Sequence, residues 1–217
     1  MQSTMANEME HFKEIKLSSE NTNQQCEIIY FGTKEFCDFS MTYHGKEYRI
    51  PSIYLCDKSD YFKNLLMVNG QLRPGQKYLN LPDNLCEGVS TKGLEHLLNY
   101  VSVNESELEE TDMQVVFDAC LLSSFFAFND DIKTKFMIEF AELHEIEWYD
   151  NGNRNTKLLT WKFLHLAKKY ALGYVTKILV DYIITNIKDR VNKDDFHNSV
   201  TLSADDWRQL FVKLANK

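Results

Sequence analysis

Nucleophilic catalysis requires a Ser, Cys or Lys beside an activating base, and phosphate binding requires glycines closely spaced at a strand-to-helix turn. The chain carries neither pattern: its eight glycines form no G-x-S-x-G, no G-x-G-x-x-G and no P-loop. Its paired carboxylates, Glu109-Glu110 and Asp205-Asp206, are adjacent in sequence, where one helix cannot aim both at one point. The five cysteines, Cys26, Cys37, Cys56, Cys86 and Cys120, are odd in number, widely spaced and without a C-x-x-C pair. They read as free thiols in a reducing compartment, most of them buried. The histidines, His11, His44, His96, His144, His165 and His197, show no spacing that sets two on one helix face. No catalytic residue, metal or cofactor is therefore expected.

Composition narrows the function classes further. With 217 residues, 44% of them hydrophobic and 13% aromatic, the chain can bury a substantial core. Its net charge of −8 argues against nucleic-acid binding, which depends on clustered Lys and Arg neutralising phosphates. The basic pair Lys168-Lys169 reads as a solvated helix face. No apolar run reaches bilayer-spanning length, and the polar start MQSTMANEMEHFKE lacks the apolar core of a signal peptide. An intracellular protein, cytoplasmic or nuclear, without a membrane partner is expected.

The elements that must position any functional residue begin at Phe36. Phe39, Met41, Tyr43, Tyr48 and Ile50 alternate about His44-Gly45-Lys46, so the pattern predicts a hairpin. Pro51, lacking a donor for the ladder, ends it, and Ile53, Leu55, Tyr61, Phe62, Leu65 and Leu66 predict a helical face. Ser59 stands where a helix cap belongs, with Asp60 in the first turn. Lys77–Leu81 alternates as a third strand stopped by Pro82-Asp83-Asn84. Leu94, Leu97, Leu98 and Val101 predict a helix after Thr91.

Further helices are expected from about Met113 to Ser123 and from about Asp130 to Leu143, the latter opened by the acceptor oxygens of Asn129-Asp130-Asp131. The acidic segment Glu105–Asp112 reads as a solvated loop, and Leu121–Phe128 as core, with a partner surface as the lesser reading of its dense phenylalanines. Asp150-Asn151-Gly152-Asn153, within Trp148–Thr156, marks an internal boundary. Beyond it, Trp161, Leu164, Ala167, Tyr170 and Ala171 predict one helix face, and Val175, Ile178, Leu179, Tyr182 and Ile183 another, with a tight turn at Leu172-Gly173. Ser203-Ala204-Asp205-Asp206 approximates a capping box before Trp207, Leu210, Phe211 and Leu214.

This order of residues resembles the BTB/POZ family. Cys37-Asp38-Phe39 matches its first strand, Gly45-Lys46-Glu47-Tyr48 its second, and Ser59-Asp60-Tyr61-Phe62 its following helix; Leu81-Pro82-Asp83 and Leu97-Leu98-Asn99-Tyr100-Val101 continue the match, with Ser102 where an aromatic is usual. Ala167–Leu172, Tyr182–Asn186, Phe196 and Leu202-Ser203 resemble the opening of the BACK segment that often follows. The resemblance implies an α+β fold: a small BTB/POZ-like sheet flanked by a helical cluster over 26–145, a linker over 146–160 and an all-α BACK-like segment over 161–217. Residues 1–25 are expected to be disordered or partly helical around Asn7–Lys16.

The same resemblance implies a non-enzymatic homodimer that adapts a protein substrate to a cullin-three-type ubiquitin ligase, or alternatively a scaffold that assembles partners by dimerising. It implies a cullin or partner surface at Asp60, Tyr61, Phe62, Asn64, Met67, Asn69, Phe125 and Phe126. The implied dimer surface comprises Phe12, Ile15, Asp38, Ile53 and Tyr54. Two departures bear on these expectations. Met67-Val68-Asn69 stands where many adaptors have hydrophobic-x-Glu, and Pro51-Ser52 replaces the usual basic site that can pair with the strand Asp. Asp38 is therefore read first as a capping or turn carboxylate.

Overall fold

The computed structural model describes residues 27–68, 71–72, 77–103, 112–151 and 154–190. The chain is α+β, and its sheet grows from the hairpin of β2 (Phe39–Tyr43) and β3 (Lys46–Ile50), paired antiparallel from Phe39↔Ile50 to Tyr43↔Lys46. His44 and Gly45 turn the hairpin with φ of 47° and 75°, the positive pair that a two-residue turn needs to match strand twist. Phe39, Met41, Tyr43, Tyr48 and Ile50 all point into the core, as their alternation predicts.

Two edge strands, Glu27–Tyr30 beside β3 and Tyr78–Asn80 beside β2, complete the four-stranded sheet. β1 (Glu27–Tyr30) runs parallel to β3, and β6 (Tyr78–Asn80) runs parallel to β2. A separate pair, β4 (Met67–Val68) and β5 (Gln71–Leu72), lies between them in sequence.

Pro51 ends β3 and leads into α1 (Ser52–Lys58); extended Ser59 then separates α1 from α2 (Asp60–Leu66). The Ser59 hydroxyl accepts from the Phe62 N–H at 3.1 Å and donates to the Phe126 carbonyl at 2.6 Å. Asp60 N–H donates to the Ala127 carbonyl, and Asn129 N–H to that of Lys58. The α1–α2 joint is thus stitched to the turn at Phe126–Asn129, so surface presented by α2 is fixed relative to the helical core.

α3 (Thr91–Val103) buries Leu94, Leu97, Leu98 and Val101, as expected. α4 (Met113–Phe125), capped by the Asp112 carboxylate, is buried at every residue from Val115 to Ser123 because helices cover both its sides. α5 (Asp130–Asn151) starts where Asn129 Oδ1 accepts from Ile132 N–H. α6 (Arg154–Lys169) and α7 (Gly173–Arg190) follow.

The structure differs from the sequence expectations at several points. Helix occupies Trp148–Asn151 and Arg154–Thr156, so these parts of the expected 146–160 linker are regular, and Asp150 and Asn151, expected as turn formers, continue α5. Phe163 of α6 packs between Phe117 of α4 and Phe140 of α5, with ring centroids 4.4 and 5.4 Å away, so α6 shares the central core. Ala171 is not on a core face. It takes a left-handed φ of 57° after α6, while Leu172 N–H reaches back to the Ala167 carbonyl, and this exposed residue makes the turn expected at Leu172-Gly173.

Ile53 and Leu55, expected on one helical face, separate: Ile53 is exposed and Leu55 buried. The break at Ser59 gives α1 its own orientation, which buries Ser52, Leu55 and Cys56. The expectations for residues 1–25 with Phe12 and Ile15, for Asn69, for most of the acidic segment and for 196–214 lie outside the described residues.

Candidate interaction surfaces

The first candidate surface is built where the β1–β2 connection meets α1. Thr33, Phe36, Asp38, Pro51, Ser52, Ile53 and Tyr54 line a shallow pocket of about 290 Å³. Phe36 is 71% exposed, Ile53 60% and Tyr54 38%. Three large apolar side chains thus stand in water around one concavity, which makes it a candidate interaction site.

Asp38 anchors that pocket. Its two carboxylate oxygens accept from Ser52 N–H at 2.7 Å and from Ser52 Oγ at 2.8 Å, so it caps the start of α1. The carboxylate makes no ion pair among the described residues. Asp38 is therefore a capping carboxylate, the role read for it first from the sequence. Burial, aided by Asp38, pushes the neighbouring Cys37 thiol up, and burial does the same to Cys56. Both shifts disfavour the thiolate, so these cysteines are not poised as nucleophiles.

The second candidate surface lies along α2 and the end of α4. Asp60 and Asn64 are exposed, and Tyr61, Leu65, Met67 and Phe125 are half-buried against the core. Tyr61 and Phe125 each meet Phe126, with ring centroids 5.4 and 5.2 Å away. Burial raises the Tyr61 phenol above its ordinary range. Two residues expected on this surface are instead interior: Phe62 and Phe126 are each 1% exposed and stack on one another at 5.1 Å. The Ser59 bonds draw the α4–α5 turn over α2 and bury both rings, so neither can touch a partner without unfolding.

The expected residues thus separate into two groups. Asp38, Ile53 and Tyr54 are brought together, joined by Phe36, which the sequence reading omitted. Its alternation with later strand residues gave no warning that it precedes β2 in a one-turn helix, Lys34–Phe36. Asp60, Tyr61, Asn64, Met67 and Phe125 form the other group, on α2 and its surroundings.

No group of three or more His, Cys, Asp or Glu that could hold a metal occurs among the described residues, and no described helix is long and apolar enough to cross a membrane. Of the four described cysteines, Cys56, Cys86 and Cys120 are buried and Cys37 is half-buried, and they are thiols rather than disulfides. Comparison with protein-family models and with curated proteins gives no match. Among solved structures, the chain is similar to the BTB (Tramtrack and Bric a brac) domain of human gigaxonin, at 23% identity and a TM-score of 0.35, over 48% of this chain and 76% of that one.

Proposed function

We propose that the chain is a non-catalytic protein-interaction module of the BTB type, intracellular, which self-associates through the α1 pocket face and adapts a protein substrate to a cullin-three-type ubiquitin ligase. The observation that carries this reading is the exposed cluster of Phe36, Ile53 and Tyr54. Water-facing apolar side chains around a concavity gain free energy when a complementary surface covers them, and aromatic anchors at the centre of an interface usually carry most of its energy. The motifs Cys37-Asp38-Phe39, Gly45-Lys46-Glu47-Tyr48 and Ser59-Asp60-Tyr61-Phe62 support the reading, because they fall at the entry to β2, on the hairpin and on the capped α2 in the order of the resemblance.

A second reading, a scaffold that assembles partners without a ligase, is favoured by the region after α2. Met67-Val68 enters the β4–β5 pair, Asn69 replaces the acidic residue of many adaptors, and Phe62 and Phe126 are interior. Light scattering of the full chain, alone and with the N-terminal region of a cullin three, separates the two. A dimer that takes up one cullin per protomer supports the adaptor; a dimer that ignores the cullin at micromolar concentrations supports the scaffold. A monomer overturns both.

A further inference from the structure

We infer that self-association sets Lys34 of each copy against Asp38 of the other, so that two reciprocal ion pairs close the α1 pocket. This rests on the self-association reading above and adds its register.

Asp38 uses one hydrogen bond on each carboxylate oxygen, both from Ser52. An ionised carboxylate offers about four acceptor sites, so capacity remains. A surface that covers the pocket removes water from this carboxylate, and desolvating a charge without an opposite charge is costly. The covering surface must therefore present a cation among apolar groups.

This chain carries such a cation beside the pocket. Lys34 belongs to the same one-turn helix as Phe36 and directly follows Thr33, both of which line the pocket. It is exposed, its Nζ lies 5.5 Å above the Tyr30 ring, and no carboxylate among the described residues pairs with it. The other cation at Tyr30, Arg49, is held by Glu47 at 2.8 Å. In a two-fold contact residue i meets residue j and j meets i, so a face bearing an uncommitted lysine and an uncompensated carboxylate a few residues apart is complementary to itself. The charges also fix register, which Phe36, Ile53 and Tyr54 alone do not, since apolar contact is non-directional.

A double-mutant cycle on the full chain tests this by sedimentation equilibrium. Lys34→Glu changes an exposed side chain, and Asp38→Asn keeps an acceptor for Ser52 N–H, so both variants retain their cap. Lys34→Glu is expected to weaken the dimer about tenfold or more, and to do so far less in the Asp38→Asn background. Wild-type affinity is expected to fall with added salt. Equal effects of Lys34→Glu in both backgrounds overturn the pairing. If Ile53→Asp abolishes the dimer while Lys34→Glu leaves it intact, the pairing fails and the self-association reading stands. If the wild type is monomeric, or Ile53→Asp leaves the dimer unchanged, that reading fails and the pairing with it.

Discussion

The Asp118 carboxylate, buried on α4, holds Ser90 at the start of α3 by accepting from its backbone N–H at 2.9 Å and from its hydroxyl at 2.6 Å. Ser90 Oγ in turn accepts from the Gly93 N–H, so one carboxylate orients the cap of the neighbouring helix. Gln114 Nε2 donates to the other oxygen. Burial keeps this carboxyl above the usual range, against the pull of those hydrogen bonds. The α3–α4 packing is therefore specified by a polar contact inside an apolar core, and only a glycine at 93 permits it.

Gly93→Ala is expected to destabilise the fold sharply. A Cβ there would lie 2.3 Å from the Cβ of Asp118, a backbone-rooted atom that cannot swing aside. The helices would have to separate, at a cost of about 1–3 kcal/mol or more, whereas an exposed glycine in mid-helix would gain from the same change. Urea unfolding of the variant checks this; an unchanged or raised midpoint would show that α3 and α4 do not approach as described.

Phe163→Ala tests whether α6 belongs to the central core. Its wholly buried ring fills the space between Phe117 and Phe140, so truncation should cost about 3–5 kcal/mol. A chain cut after Asn151 should fare worse, since it bares both partner rings. Its expected behaviour is aggregation or a molten core, read by near-ultraviolet circular dichroism. Native-like cooperativity in the truncated chain would count against a shared core.

How far these features were legible depends on the kind of signal each leaves. The hairpin could be read because His44-Gly45 interrupts strict alternation, and α2 because Ser59-Asp60 is a local cap. Neither needs information from elsewhere in the chain. The parallel strand β1 could not be read, because Glu27–Tyr30 finds its partner across the whole hairpin, and four residues carry too little pattern. Ala171 was misplaced because the left-handed position after α6 is usually signalled by glycine, and here the glycine comes two residues later. Of the residues expected on surfaces, Asp38, Ile53 and Tyr54 line one pocket, while Phe62 and Phe126, expected as partner contacts, are interior. Aromatic residues in a short helix announce that they will be covered; what covers them is decided by the Ser59 bonds to a turn far along the chain.

Phe126→Ala and Asn64→Ala should therefore separate stability from binding. Phe126 touches Tyr61, Phe62 and Phe125, and losing its ring should cost about 3–5 kcal/mol. Asn64 is exposed on α2, and its truncation should stay within about 0.5 kcal/mol. Thermal unfolding checks both. A stable Phe126→Ala protein would return that ring to the list of surface residues.

Acid should weaken the fold through His144 before it does so through Glu139. Burial lowers this histidine from its ordinary 6.5 to about 4, its Nε2 lies 3.0 Å from Thr160 Oγ1, and its ring packs on Tyr182 at 4.6 Å. The folded chain thus keeps the ring neutral while the unfolded chain takes up a proton below about pH 6.5. The unfolded state then binds more protons, so stability is full above that value and declines as the pH falls towards 4, by roughly 3 kcal/mol from this group. Glu139 adds a loss lower in the range: its carboxyl, despite burial, is held below normal by His96 and Lys135, and that contribution fades as it protonates. Urea midpoints between pH 7 and pH 4 should therefore fall for the wild type. In His144→Gln the decline above pH 5 should flatten, while the lower limb set by Glu139 remains. An identical slope in both proteins above pH 5 would mean that the ring is not kept neutral by burial between α5, α6 and α7.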